Sequence, residues 1–555
     1  MKRVLAILIA LMLIMSVAVS ANNPVVKEDD MGNRVYAGDP AAIVVDDTVY
    51  LFCGHDTSTT NYYYMPEWLC YSSKDMVNWK YEGVPMKASE FSWGSASDAW
   101  AGEVEYYNGK YYFFMCKNST GISVGVSDNI TGPYTDNLNG NRLVYPWWTS
   151  GKVGWDDIDP TVWVENDEDG VEHRYIAWGN SNLYIAELNE EMNSLVDKNG
   201  DGNVDGGDIT ELFIENMPNG TTFTEAPWIY KRGDLYYIFF ANNWHEELSY
   251  ATSESVTGPY TYGGKIMEAG ASSNTNHPSV IDFKGKTYIF YHTGAMENGS
   301  GYRRSVCVDE LKFNADGSID LFYESSVGLD GTKVYISPVS EPGKKIYHGY
   351  FSNTTDEKAY PSGSVVLSDY MTVNKADFEW EIVEGRGNEE YVSIQAVNKM
   401  GYFITNYNSH IKLLHDNDAR KETAESMTFI KRDGLCGKGV SFESMNEEGM
   451  YLTVSNGMLK LTDGRSKEAA SFIVTEVNNP DSFTIKADEV GISIKGTYTG
   501  DAKTVIMFIK DAEGNVVDFK LVRTGVSRVI DYTYTPAKSG TYTVVFGSIS
   551  KTVEF

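Results

Sequence analysis

Five short aromatic strands recur through the first 300 residues at a nearly constant interval, and this repeat limits the possible folds more than any other feature of the chain. The segments are DDTVYLF at 46–52, NGKYYFF at 108–114, EHRYIAW at 172–178, RGDLYYIF at 232–239 and KGKTYIF at 284–290. Each is led by turn residues and reads as the returning strand of a hairpin. Measured between Tyr50, Tyr112, Tyr175, Tyr237 and Tyr288, the spacings are 62, 63, 62 and 51 residues, room for about four strands per unit. A second echo, SDNITGPYT from Ser127 and SESVTGPYT from Ser253, lies 126 residues apart, close to two periods. Five such units predict a five-bladed β-propeller. The alternative is a β-sandwich with chance aromatic spacing.

The strand preceding each aromatic segment carries one conspicuous residue. Asp39-Pro40, Trp100-Ala101, Asp159-Pro160, Glu225-Ala226-Pro227 and His277-Pro278 stand 11, 12, 16, 12 and 11 residues before the respective tyrosines. In a propeller the innermost strands line the axis, so equivalent positions on five blades converge on one funnel. Three carboxylates then meet at one mouth. A lone Asp-Pro is ordinarily a turn, but three carboxylates in matching positions suit glycoside hydrolysis. That reaction needs one carboxylic acid to protonate the leaving oxygen and one carboxylate to activate water or attack carbon. Mutual repulsion among close carboxylates keeps a proton on at least one of them, and the longer Glu225 is the natural acid.

At this point the chain resembles family 43 of the glycoside hydrolases, over roughly residues 33–325. The resemblance is carried by Gly38-Asp39-Pro40, Ile158-Asp159-Pro160-Thr161, Phe223-Thr224-Glu225-Ala226-Pro227-Trp228, Asn276-His277-Pro278-Ser279 and Tyr302-Arg303-Arg304-Ser305-Val306, with support from Tyr71–Trp79 and Trp178-Gly179-Asn180. It implies a five-bladed propeller that hydrolyses arabinose or xylose linkages with inversion. Asp39 would be the general base, Glu225 the general acid, and Asp159 the residue that raises the acid's pKa and orients it. Arg304 would point into the sugar pocket, and a calcium ion would lie in the channel near His277, itself a candidate substrate-binding residue. A core histidine bonded to backbone is the plain alternative for His277. Trp100 would offer a flat apolar face to a pentose, or simply pack the channel.

One stretch departs from that pattern. Asp197, Asn199, Asp201, Asn203, Asp205 and Asp208 surround Gly202 in a twelve-residue run with oxygen side chains at positions 1, 3, 5, 9 and 12 and glycine at 6. Alternate side chains of such a loop point at one calcium ion. It resembles a dockerin loop, except that aspartate replaces the bidentate glutamate and a single copy is present. A solvated acidic turn is the alternative.

Beyond about residue 335 the pattern changes. Ser393–Gly401 echoes Ser441–Gly449 at an offset of 48, and repeat endings at Phe429, Phe472 and, more weakly, Trp380 suggest a β-trefoil. It looks like the arabinose-binding trefoil appended to some arabinofuranosidases. Alternating apolar residues after Pro480 read as a small immunoglobulin-like sandwich. The expected organisation is a signal peptide at 1–21, an all-β propeller catalytic domain at 22–335, a carbohydrate-binding trefoil at 343–478 and the sandwich at 480–555.

Composition narrows the partners. With 77 acidic and 46 basic residues the net charge is −31, which repels nucleic acid and anionic lipid. Lys2 and Arg3, an apolar run from Val4 to Val19, and small residues to Ala21 form a secretory leader too short to span a bilayer. Five cysteines over so long a chain are no disulfide framework. The reading is a secreted protein, extracellular or periplasmic and expected to be monomeric, that releases α-L-arabinofuranosyl groups from arabinoxylan or arabinan of plant cell walls. Alternatives are a β-xylosidase of the same fold and a non-catalytic glycan-binding propeller. A fructan-cleaving enzyme fits less well, since Gly38 and Ile158 precede the aspartates. No cofactor beyond calcium is implied.

Overall fold

The aromatic repeats become the second strands of five successive antiparallel sheets. The computed structural model describes residues 22–149, 155–167, 169–314, 316–349, 365–368, 375–407, 410–416 and 423–477. In the C-terminal part it describes 483–488, 490–497, 504–512, 514–523, 529–546 and 549–555. The leader at 1–21 lies outside the described residues, among which no helix is long and apolar enough to cross a membrane.

Blade 1 is β1 (Ala37–Val45), β2 (Thr48–His55), β3 (Glu67–Ser73) and β4 (Lys80–Lys87). Blade 2 is β5 (Ala99–Tyr107), β6 (Lys110–Lys117), β7 (Ile122–Ser127) and β8 (Thr135–Asp136). Blade 3 is β9 (Thr161–Asn166), β10 (Glu172–Trp178), β11 (Leu183–Glu187) and β12 (Thr210–Leu212). Blade 4 joins β13 (Ile214–Glu215) in parallel to the meander β14 (Phe223–Arg232), β15 (Leu235–Asn242), β16 (Glu247–Ser253) and β17 (Tyr260–Met267). Blade 5 is β18 (Ser279–Phe283), β19 (Lys286–Thr293) and β20 (Ser305–Leu311). The inner strands neighbour one another in order, β1 against β5, β5 against β9, β9 against β14, β14 against β18, and β18 back against β1. The ring is closed.

Local chemistry explains the hairpins. Asn108-Gly109 and Lys284-Gly285 turn their chains with both residues at positive φ, the backbone that a two-residue turn between twisted strands requires. Apolar faces of adjacent blades then bury one another. Phe114, Ile158, Val162, Ile176 and Trp178 fill the seam between blades 2 and 3, while Ile185, Ile229, Ile238 and Phe240 fill the next. Each side chain so buried contributes about 1.5–3 kcal/mol.

Blade 5 has three strands, and the chain's N-terminal segment takes the fourth place. Val25 N–H donates to Val306 O at 2.8 Å. The buried Asn23 amide bridges Val308, donating to its carbonyl at 3.1 Å and accepting its N–H at 3.0 Å, and also donates to Ser325 O at 2.8 Å.

After the propeller, strands between Val334 and Glu476 build the trefoil. Val334 pairs with Trp380, Val392 with Phe429 and Val440 with Phe472, the same closure three times. The three aromatic partners lie buried in one core with Ile336, Ile394 and Phe442. Trefoil and propeller belong to one unit ending at Val474, where the buried Glu324 accepts N–H groups from Ala271 of one and Met400 of the other. The second unit, Thr475–Phe555, is a sandwich of a three-stranded and a four-stranded sheet, with Ile492, Ile494, Met507, Ile509 and Val544 between them. All five cysteines are free thiols.

Asn23→Ala leaves the Val308 N–H and carbonyl unpaired inside the closing seam. The expected cost is about 1–3 kcal/mol, read as a lowered urea midpoint of the tryptophan fluorescence transition; an unchanged midpoint would show that the N-terminal segment does not hold the ring.

Candidate active site

Hairpin register decides which residues of the five blades are equivalent. The inner-strand partners of the five repeat tyrosines are Ile43, Glu105, Trp163, Tyr230 and Ile281. Four residues before each stand Asp39, Ala101, Asp159, Ala226 and His277. Asp39, Asp159 and His277 are therefore matched, whereas Trp100 and Glu225 precede the matched position by one. Bulges lie at these positions in blades 1, 2 and 4. Pairing is interrupted between Gly38 and Ala41, between Ala99 and Gly102, and between Glu225 and Trp228, and Asp39, Asp159 and Ala226 all adopt left-handed backbone, with φ of 54°, 59° and 58°. Bulges re-aim side chains at active sites. Here they bring Asp39, Asp159, Glu225, Trp100 and Arg304 to the wall of one cavity of about 440 Å³, in the size range of small-ligand sites.

Asp39 is held as a carboxylate. Burial alone would raise its pKa, but the charge of Arg304, whose Nη1 donates to Asp39 Oδ1 at 2.5 Å, brings it below the ordinary carboxylate value. Arg304 is itself buried, and its Nε and Nη2 grip both oxygens of Asp56 at 2.9 and 3.0 Å. It lines the cavity while anchored from behind by Asp56, which no sequence motif singled out. His292, fully buried, accepts the Asp39 N–H on Nδ1 at 3.1 Å and meets Thr275 O with Nε2 at 2.8 Å. The carbonyl requires a donor, so the ring is the neutral Nε2–H tautomer. Burial brings its pKa down to about 3.

Away from Arg304 the carboxyls behave oppositely. Burial first, and then the neighbouring Glu225 and Asp39, push Asp159 well above its ordinary value, although Asp159 Oδ2 accepts the Ala226 N–H at 3.0 Å. Burial and the charge of Asp39 push Glu225 up to about 7, and the Asn180 side-chain amide donates to its Oε2. His277 lies behind the cavity wall, its Nδ1 4.0 Å from Asp159, with burial bringing its pKa down to about 4. Trp100 lines the cavity, but one of its faces is covered by the ring of Trp155, parallel within 4° at 5.4 Å. The open aromatic surface around the mouth comes instead from Trp155, Trp244 and Tyr62, exposed by 47%, 66% and 79%.

The loop at 197–208 folds around its own amides. Asp197 accepts N–H bonds from Gly200 and Gly202, and Asp208 from Lys198, Asn199 and Asp205, while Asn199 and Asp201 accept from Asp201 and Asn203. Among the described residues no three His, Cys, Asp or Glu side chains converge as metal ligands, in this loop or beside His277.

Asp56, His292 and Glu246, the last a buried carboxyl against Glu225, escaped the sequence reading. Asp56 had a faint signal: six residues past the repeat tyrosines stand Asp56, Asn118, Ser181, Asn243 and Gly294, four of them polar. The position matching His292 is Gly54, Cys116, Gly179 or Ala241 in the other blades, so the repeat gave none.

Comparison with known proteins identifies two families along the chain. Residues 22–319 match the model for glycosyl hydrolases family 43, and residues 346–481 match that for the alpha-L-arabinofuranosidase B domain. A xylosidase/arabinosidase of Bacteroides ovatus is 28% identical over 321 residues, covering 51% of this chain and 94% of the relative. An arabinoxylan arabinofuranohydrolase of Paenibacillus polymyxa is 26% identical over 418 residues, 65% of this chain and 63% of its own. A solved β-xylosidase/α-arabinofuranosidase from a compost metagenome, in complex with xylotriose and calcium-free, has 24% identity and a TM-score of 0.43, covering 52% of this chain and 94% of its own. With the family model matched over more than half of its length, the chain belongs to family 43 of the glycoside hydrolases.

Proposed function

We propose that the chain is an inverting hydrolase that removes α-L-arabinofuranosyl groups from arabinoxylan or arabinan. The observation that carries this reading is the opposite tuning of two carboxyls on one cavity wall, Asp39 pulled down by Arg304 and Glu225 pushed up to about 7. Divergent pKa values divide acid from base. Asp39 takes a proton from water as its oxygen attacks the anomeric carbon, and Glu225 gives its proton to the leaving oxygen as the glycosidic bond breaks. Asp159 holds the Ala226 N–H and so fixes the backbone next to the acid. The arabinofuranosidase-type trefoil and the name of the Paenibacillus relative favour arabinose over xylose. A trefoil that grips the same polymer raises the local substrate concentration without touching the cavity. Export through the leader at 1–21 belongs to this reading.

Calcium belongs to the proposal at 197–208. The donors of Asp197, Asn199, Asp201, Asn203 and Asp208 are all hard oxygens, the class calcium takes. Beside His277 the protein offers one imidazole and one carboxylate, and no step runs through an ion there.

Arabinose release from arabinoxylan, with p-nitrophenyl α-L-arabinofuranoside and β-D-xyloside as comparators, tests the reading. Glu225→Ala and Asp39→Ala should each lose roughly 10²–10⁴-fold on the polymer. Wild-type kcat/KM should fall as pH rises through about 7, where Glu225 loses its proton, and fall again only below the ordinary carboxylate range, where Asp39 gains one. Xylose as the product moves the assignment to the xylosidase, and polymer binding without any product favours the glycan-binding reading.

Gly38 supplies an independent check. A Cβ there would lie 2.3 Å from Arg304 Cζ and Nε, whereas one at Gly343 meets nothing within 4 Å. Gly38→Ala should displace the guanidinium and cost most of the activity with the fold retained, and Gly343→Ala should be silent; equal activity in both would remove Arg304 from the mechanism. For the loop, added calcium should raise the Tm of the wild type and not of Asp197→Ala, and a wild type indifferent to calcium and chelator would reduce the loop to an acidic turn.

A further inference from the structure

A fourth carboxyl lies against the acid, outside the repeats and outside the mechanism so far. Glu246 ends the β15–β16 connection in blade 4 and is 1% exposed. Its backbone N–H donates to Asn274 O at 3.2 Å, and its Oε2 accepts the Asn276 N–H at 2.7 Å. Its other oxygen, Oε1, is equally buried and accepts no N–H or O–H. That carboxyl is in hydrogen-bond contact with Glu225.

Two carboxyls in hydrogen-bond contact need a proton between them, since two carboxylates would set charge against charge. The partners decide which oxygen carries it. Oε2 of Glu246 accepts the Asn276 N–H, which leaves the otherwise unpartnered Oε1 to carry the O–H. No cation relieves Glu246: its neighbour Glu247 turns away to Lys265 at 2.9 Å, and Arg304 is taken by Asp39 and Asp56. The other charged groups facing the pair are Asp159 and Asp39, both acidic, and Arg304, whose charge acts on Glu225 but is outweighed there by burial and Asp39; the nearby His277 is neutral.

We propose that Glu246 is a positioning residue for the acid: a permanently protonated carboxyl that donates a hydrogen bond to Glu225 and steadies the carboxylate formed as Glu225 gives up its proton. Asn180 donates to Glu225 as well, so the acid is gripped by two donors. Burial beside Asp39 and Asp159 would otherwise make Glu225 too reluctant a donor. In the step itself the Glu225 O–H bond breaks, an O–H bond forms on the leaving oxygen, and the Glu246 proton stays where it is. This inference rests on Glu225 being the acid.

The test compares wild type, Glu246→Leu, Glu246→Gln and Glu225→Ala on arabinoxylan and on the p-nitrophenyl arabinofuranoside, whose leaving group needs little protonation. Glu246→Leu should lose roughly ten- to a hundred-fold on the polymer, the size of a hydrogen bond to a charged group. It should lose far less on the aryl substrate, and the basic limb of its kcat/KM profile should move to higher pH. Glu246→Gln supplies a carbonyl to Asn276 and an N–H to Glu225, and should recover most of that loss. Equal losses on both substrates, an unmoved limb, or a Gln variant as poor as Leu overturns the proposal. Should the Leu variant not fold, infrared spectra decide: the wild type should keep a protonated-acid C=O stretch well above the ordinary carboxylate range that Glu246→Gln lacks, and its absence from the wild type overturns the proposal equally. If Glu225→Ala keeps its polymer activity, the acid assignment itself fails; if only the Glu246 results go the wrong way, this inference fails alone.

Discussion

One guanidinium joins the ends of the ring at the place where the chemistry is proposed. Arg304 immediately precedes β20, the third strand of the last blade, donates its own N–H and two side-chain N–H groups to Asp56 in the first blade, and reaches Asp39 with a third side-chain N–H. Its carbonyl accepts the Ala37 N–H at 2.8 Å. The contact is both a clasp between first and last blades and the reason Asp39 stays ionised in a buried site. Lysine would serve neither purpose, since a point charge cannot fork between two carboxylates. Removing one partner of such a buried pair strands the other charge, at about 3–5 kcal/mol, so fold and base are coupled through the same bonds.

From that cation the rest of the electrostatics follows. Asp39, Asp56, Asp159, Glu225 and Glu246 share the interior with one guanidinium and two histidines that burial keeps neutral. Arg304 touches two carboxyls, and the three it does not touch are met by amide donors and by one another. Burial and mutual repulsion raise those three. Residues of one chemical type thereby acquire opposite roles according to their distance from a single positive charge.

The period of the fold was legible because each blade must bury an aromatic second strand against its neighbours, and that demand recurs every 62 or 63 residues. Asp39 was legible for the same reason, 11 residues before its tyrosine; Asp159 stands 16 before its own because the blade 3 hairpin is longer, and its Asp-Pro pair is what marked it. Glu225 and Trp100 stand one residue before the matched position, 12 residues ahead of their tyrosines against 11 for Asp39 and His277, and were picked by residue type rather than by exact register. Trp100 was assigned an open face that Trp155 covers, and Trp155 belongs to no repeat. Asp56, His292 and Glu246 serve this site alone. Nothing in the other blades demands their counterparts, so periodicity is blind to them, and the fourth place of blade 5 was missed because its occupant comes from the far end of the domain.

The left-handed residues at the mouth show why the ring must be closed before the site can exist. Asp39, Asp159 and Ala226 each precede a proline, which disfavours right-handed helical backbone, and each adopts positive φ rather than continuing the ladder. Aspartate tolerates that region better than alanine, and non-glycine residues there cost of order 1–3 kcal/mol. An isolated hairpin would relax to extended backbone and swing its carboxyl toward the next blade. The Ala226 N–H bound by Asp159 and the Asp39 N–H bound by His292 hold two of these conformations, and both bonds cross from one blade to another. Neighbouring blades thus supply the restraint that no single blade can, and the proposed acid and base are held at their separate charge states by the fold itself.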